Sequence, residues 1–104
     1  MSILRELAAT IAKRSKADPD SSWTAKLLSE GPEKCAEKFG EEAIEAVIEA
    51  VKGDQKKLTF EAADVLYHLL VMLESRGVAL EEVLMELNRR QGTSGISEKT
   101  SRGS

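Results

Sequence analysis

Apolar residues recur every three or four positions along most of this sequence, which is the spacing of one face of an α-helix. The pattern predicts five helices, at residues 3–15, 23–29, 32–51, about 55–75 and about 80–90. No segment of useful length alternates apolar and polar residues as a strand does. The sequence therefore predicts an all-α fold, an antiparallel bundle of four to five helices.

Turn and capping residues separate these helices. Ser21 or Ser22 can cap the second helix, and Gly31 ends it. Pro32 suits the first turn of the third helix and Gly53 suits its end. The short loop that follows Gly53 leads directly into the fourth helix, so the third and fourth helices are predicted to be antiparallel neighbours.

The centre of the fourth helix, VLYHLLVML at 65–73, is apolar on every side. A helix of this kind is buried on all sides, and few other helices remain to cover it. We therefore predict a homodimer that pairs through its central helices. Residues 1–90 are predicted to form one domain, and residues 91–104, which contain glycines and lack an apolar period, a flexible polar tail.

Composition excludes several classes of protein. The 104 residues suffice for one domain, and a net charge of -3 with 4% aromatic residues excludes a nucleic-acid partner. Cys35 is the only cysteine and His68 the only histidine, so neither an internal disulfide nor a Cys- or His-based zinc site can form. Both residues are interpreted as packed in the core. The chain shows neither a signal-peptide core nor an apolar run long enough for a membrane. We expect a cytoplasmic protein.

Acidic residues form two pairs on the long helices. Glu42 and Glu45 are three residues apart on the third helix, and Glu61 and Asp64 on the fourth, so each pair lies side by side on one helix face. Glu45 and Glu61 each lie roughly 8–9 Å from the connecting loop, at 1.5 Å per residue. The four carboxylates are therefore predicted to face each other at one height.

Four converging carboxylates repel one another unless a cation lies between them. Oxygen ligands without histidine or cysteine favour Mg²⁺, with Mn²⁺ as an alternative. Magnesium commonly bridges carboxylates and substrate phosphates, and a metal-activated water beside a phosphate chain can hydrolyse it. One acidic pair alone is typical of a solvated helix face. The residues therefore leave open a second interpretation, a non-enzymatic dimerisation module with a wet acidic face.

Three segments carry a resemblance to a known family: SSWTAKLLSEG at 21–31, EKFGEEAIEAVIEA at 37–50, and EAADVLYHLLVMLESRGVALEEVLMELNRR at 61–90. They resemble the phosphoribosyl-ATP pyrophosphatases, within the MazG-like all-α nucleotide pyrophosphohydrolase superfamily, as does GTSGISEK at 92–99. The resemblance implies magnesium-dependent hydrolysis of the α–β phosphoanhydride of 1-(5-phosphoribosyl)-ATP, the second step of histidine biosynthesis. The alternative within the superfamily is a house-cleaning hydrolase of (d)NTPs. No Cys-rich site indicates the cyclohydrolase that is sometimes fused ahead, so we expect a monofunctional enzyme.

The resemblance also implies roles for individual carboxylates. It implies four metal ligands, which are Glu42, Glu45, Glu61 and Asp64. Glu41 is implied to be a further catalytic group, either an extra ligand or the base that orients water. Glu49, one turn further along, is interpreted as solvated.

Substrate-binding candidates lie near these carboxylates in the sequence. Lys38 can bind a phosphate oxygen, or it can relieve the repulsion around Glu42. Trp23 can stack on adenine or pack in the core, and Lys26 belongs to the same segment. The basic residues toward the C-terminus can gather phosphates or remain solvated; they are Arg89, Arg90, Lys99 and Arg102.

Overall fold

The computed structural model describes residues 2–92 and contains five helices. They are α1 (Ile3–Arg14), α2 (Trp23–Ser29), α3 (Pro32–Lys52), α4 (Gln55–Ser75) and α5 (Leu80–Gln91). No strand occurs within residues 2–92. The predicted all-α class is confirmed, and the helix ends lie close to those expected. The predicted tail lies outside the described residues from residue 93 onward, and so do Lys99 and Arg102.

The turn between α3 and α4 is tight and fixes the direction of both helices. Gly53, at φ 79°, adopts the left-handed conformation that ends α3, and glycine has no Cβ to oppose it. Asp54 follows at once, and its Oδ1 accepts a hydrogen bond from the Lys57 N–H at 3.0 Å, which caps α4. The chain thus reverses within two residues. As predicted, α3 and α4 run antiparallel and pack more extensively than any other pair of helices in the described chain.

The buried core lies where α1 and α2 cover the C-terminal half of α4. Its members are Ile11, Leu27, Cys35, Leu70 and Val71. The Cys35 Sγ donates to the Leu27 carbonyl at 3.3 Å, and burial is the main cause that raises the pKa of the thiol. The cysteine is therefore an inert packing residue, which confirms its interpretation as part of the core. The second helix is capped by Ser22, whose Oγ accepts from the Ala25 N–H at 3.2 Å.

A single chain does not bury α4 on all sides. His68, Leu70 and Val71 are buried, whereas Phe60 and Leu66 are 67% and 43% exposed. The adjoining apolar face of α3 is also open: Ile44, Val47, Ile48 and Val51 are 63%, 60%, 47% and 83% exposed. We call these six residues the α3–α4 apolar surface. No described helix is both long and apolar enough to cross a membrane.

Candidate metal centre

Three of the four predicted metal ligands come together between α3 and α4. One carboxylate oxygen each from Glu42, Glu45 and Glu61 lies within 4.8 Å of the others. Glu42 and Glu61 are half-buried, and Glu45 is exposed. Because the tight turn sets the two helices antiparallel, residues equally far from it meet at the same height. The fold thus brings three of the four predicted carboxylates together, and Asp64 is not among them.

The carboxyl groups of this cluster perturb one another. The pKa of Glu42 is raised to about 7, first by burial, then by a hydrogen bond and the charge of Glu45, and finally by the charges of Asp64 and Glu61. The pKa of Glu61 is also raised, with burial as the first cause and Glu45 as the second. Asp64 is not a member of the triad, but it lies close enough that its charge raises the pKa of both groups.

The cluster meets the requirements of a hard divalent cation. The Glu61 Oε2 is buried and has no hydrogen-bond partner. Opposite oxygens in an octahedral magnesium shell are about 4 Å apart, which is compatible with the 4.8 Å limit of the triad. A bound cation would satisfy the buried oxygen and offset the repulsion that raises both pKa values. The donor set, all oxygen, suits magnesium or manganese.

Lys38 and Glu41 form an ion pair at one end of the cluster. The Lys38 Nζ lies 3.1 Å from the Glu41 Oε2, and the Glu41 side chain is 51% exposed. The hydrogen bond and charge of Glu41 are the leading causes that raise the pKa of Lys38, and Glu42 contributes less. Lys38 therefore interacts mainly with Glu41 rather than with Glu42, and Glu41 lies outside the triad.

The sequence-based interpretation of Glu49 as a solvated residue is wrong. Its side chain is only 16% exposed, and its Oε1 is buried without a hydrogen-bond partner. The sequence carried a signal for this, because Glu49 is four residues after Glu45 and therefore lies on the same face of α3. Its charge contributes to the raised pKa of Glu61.

Both predicted substrate-binding residues of α2 have exposed side chains. Trp23 is 55% exposed, so the alternative of core packing does not hold. Lys26 is exposed as well. A hydrogen bond between the Thr24 and Tyr67 hydroxyls attaches the start of α2 to α4. Since Tyr67 is three residues after Asp64, the start of α2 lies about one helical turn beyond the acidic cluster.

Two further residue sets have structural roles. His68 is 6% exposed, its ring meets the edge of Tyr67 at 4.9 Å, and burial is the first cause that lowers its pKa. This agrees with its interpretation as a packed residue.

Arg89 and Arg90 both pair with Glu86, at 2.6 Å and 2.8 Å.

Comparison with known proteins gives consistent matches over nearly the whole chain. The profile of a family described as phosphoribosyl-ATP pyrophosphohydrolase matches residues 4–91. A phosphoribosyl-ATP pyrophosphatase of Dinoroseobacter shibae is 78% identical over 102 residues, covering 98% of this chain and 100% of the relative. One of Ruegeria pomeroyi is 74% identical, with 98% and 97% covered, and one of Cereibacter sphaeroides is 71% identical, with 99% and 100% covered. These matches include both helices that carry the acidic cluster.

Proposed function

This chain belongs to the phosphoribosyl-ATP pyrophosphohydrolase family, and from that premise we propose that it hydrolyses 1-(5-phosphoribosyl)-ATP. The products are phosphoribosyl-AMP and pyrophosphate, and the reaction is the second step of histidine biosynthesis. The observation that carries this proposal is the 78% identity to a phosphoribosyl-ATP pyrophosphatase over 98% of the chain. We place the reaction in the cytoplasm, where amino-acid biosynthesis uses ATP and its derivatives.

The carboxylate cluster is the proposed site of the reaction. Glu42, Glu45, Glu61 and Asp64 would hold magnesium, with manganese as a substitute. A magnesium ion bound there would neutralise phosphate charge and acidify a coordinated water. In support of this assignment, three of the four carboxylates converge and one of their oxygens is buried without a partner.

Side chains beside the cluster would bind and orient the substrate. Lys38 carries a positive charge next to the acidic residues and would bind a phosphate oxygen. Trp23 exposes its ring at the start of α2 and would stack on the adenine, with Lys26 nearby. Glu41 lies outside the triad and would orient the attacking water and accept its proton. The water oxygen bonds to one phosphorus of the α–β anhydride, and the bridging oxygen leaves with the other.

A substrate panel tests this function directly. With magnesium present, we expect kcat/KM for phosphoribosyl-ATP to exceed that for every dNTP and NTP by at least about a hundredfold, since a site built for a polar group rejects analogues that lack it. Release of pyrophosphate, followed by ³¹P NMR or a coupled assay, measures each rate. Preference for a plain nucleotide would instead identify a house-cleaning hydrolase. Absence of turnover with every substrate would favour the non-enzymatic module.

We also propose that the protein is a homodimer that pairs through the α3–α4 apolar surface. Its six large apolar side chains are between 43% and 83% exposed in one chain. Large apolar side chains exposed in a patch commonly mark an interaction site. The central position of α3 and α4 makes a second copy of the same surface the expected occupant, in an isologous pairing.

Changing Val47 to Lys should separate the two subunits. Val47 is 60% exposed, and a buried lysine without an ionic partner would oppose association. We expect the dimer dissociation constant to rise at least about tenfold, measured by sedimentation equilibrium. Ala36→Lys, at an exposed position of α3 outside the apolar surface, is the matched control and should remain dimeric. A wild-type protein that is monomeric at micromolar concentration would contradict the proposal.

A further inference from the structure

We propose that the hydrogen bond between the Thr24 and Tyr67 hydroxyls helps to bind substrate by holding the start of α2 in place on α4. Both are positioning residues, because they act through Trp23 and Lys26, the exposed side chains that α2 presents. The inference rests on the proposed function and deepens it. It names the contact that fixes the base-binding part of the site relative to the helix that carries two of the proposed metal ligands.

The start of α2 needs a contact of this kind. The helix has seven residues, and so short a helix does not hold its place without tertiary contacts. Its second half is fixed by Leu27, which is fully buried and whose carbonyl accepts a hydrogen bond from the Cys35 Sγ. Of the hydrogen bonds between two side chains in the described part of the chain, the bond from Thr24 to Tyr67 is the one that joins α2 to another helix.

Tyr67 is a firm anchor for this bond. Its ring packs against the buried core and meets the His68 ring edge-on, with the ring centroids 4.9 Å apart. His68 is itself buried and close-packed, so it limits the movement of the tyrosine ring. Asp64, a proposed metal ligand, is three residues before Tyr67 and is therefore its neighbour on the surface of α4. A bond to the Tyr67 hydroxyl thus fixes Thr24 relative to the metal-binding part of α4.

The helical spacing of α2 separates its anchoring face from its exposed face. Thr24 and Leu27 are three residues apart and lie on the side that contacts the rest of the protein. Trp23 and Lys26 are also three residues apart, are both exposed, and are therefore neighbours on the outer side. An aromatic ring stacks on a nucleobase and a lysine binds a phosphate oxygen, so this outer face suits a nucleotide. Because Trp23 directly precedes Thr24, loosening Thr24 displaces the ring.

Two conservative variants test the role of the bond. Tyr67→Phe and Thr24→Val each remove one hydroxyl and little else. We expect each to raise KM for phosphoribosyl-ATP about fivefold, the effect of one hydrogen bond, at an unchanged kcat. KM alone changes because a contact to the base, away from the reacting phosphorus, is equally strong in the ground and transition states. Thr24→Ser keeps the hydroxyl and should keep the wild-type KM. So should the control Thr10→Val, at an exposed threonine whose hydroxyl bonds within α1.

A double variant and a direct binding measurement complete the test. Because the two hydroxyls form one bond, Tyr67→Phe combined with Thr24→Val should raise KM no more than either change alone. Phosphoribosyl-AMP, the product, is not turned over and should quench the fluorescence of Trp23, the only tryptophan in the sequence. In excess Mg²⁺, the dissociation constant from this quenching should be about fivefold higher in either single variant.

The outcomes separate this inference from the proposed function. Quenching that weakens in both variants supports the positioning role even if the wild type does not hydrolyse phosphoribosyl-ATP, a result that would contradict the proposed function alone. Hydrolysis by the wild type, with KM unchanged in both variants, would overturn the inference and leave the function standing. A lower melting temperature at unchanged KM is the mark of a purely structural bond and has the same meaning. Absence of quenching in the wild type would also overturn the inference.

Discussion

Changing Glu45 to Gln is expected to lower kcat/KM for phosphoribosyl-ATP at least about a hundredfold, since altering even the outer partners of a metal costs 10–100-fold. Glu45 is the member of the cluster that acts on both of the others, because its interactions raise the pKa of Glu42 and of Glu61. An amide there cannot supply the charge that a cation requires. Steady-state kinetics at saturating Mg²⁺ measures the loss.

The same variant should be more stable than the wild type when no metal is present. Removing the Glu45 charge relieves repulsion on Glu42 and Glu61. A gain of about 1 kcal/mol would raise the melting temperature by about 4–8 °C in a domain of this size. A structural glutamate would behave in the opposite way, with lower stability and unchanged turnover. Glu37→Gln, which removes an exposed glutamate of the same helix, is the control and should alter neither property.

The metal-free protein is expected to lose stability as the pH rises from about 5 to 8. The pKa of Glu42 is raised from an ordinary value of 4.5 to about 7 in the folded state, and that of Glu61 is raised too. Between the unfolded and folded values the folded protein binds more protons than the unfolded chain, so the free energy of unfolding falls with increasing pH. The lowered pKa of Glu86, about 2 because of Arg89 and Arg90, acts below 4.5 and does not compensate. The lowered pKa of the buried His68 opposes the loss only up to its ordinary value of 6.5, and above that pH the loss caused by Glu42 is unopposed.

Magnesium should reverse this loss. A cation that binds only the folded state adds about 2.7 kcal/mol at a hundred times its dissociation constant, and it binds ionised carboxylates. Melting temperatures at pH 5, 6, 7 and 8, in EDTA and in excess Mg²⁺, should therefore diverge as the pH rises. Stability in EDTA that increases over this range would contradict the assigned cluster, and Glu42→Gln should flatten the EDTA curve. Turnover should disappear in EDTA at every pH.

The local sequence was sufficient to predict the helices and to predict which carboxylates of α3 and α4 approach one another. Capping and turn residues such as Ser22, Gly53 and Asp54 act on the backbone within a few residues, so their effect is readable without tertiary information. Glu45 and Glu61 are about equally far from the turn. Because the two helices are antiparallel and each rises 1.5 Å per residue, the two carboxylates were predicted to lie close together, as they do.

Other features depended on which neighbour each side chain finds. Trp23 suited either the core or an adenine ring, and only the packed fold shows that it is 55% exposed. The spacing of apolar residues on α3 is typical of a face packed in the core. Val51 is nevertheless 83% exposed, because no other part of the described chain covers it. Periodicity reports that a face is apolar, but it does not report what covers that face.

For Glu41 and Glu49, the exposure and the partner of each side chain could not be predicted from the sequence. The sequence by itself determined that α3 carries a row of glutamates, and it predicted that Glu42 and Glu45 face Glu61 and Asp64, of which Glu61 joins them within 4.8 Å. It assigned Glu41 to the site and Glu49 to solvent. In the fold, Lys38 pairs with the exposed Glu41, whereas the Glu49 side chain is largely withdrawn from solvent, at 16% exposure. Helical spacing sets the direction in which a long side chain leaves the backbone. Its burial and its partner are decided by the helix packed against it.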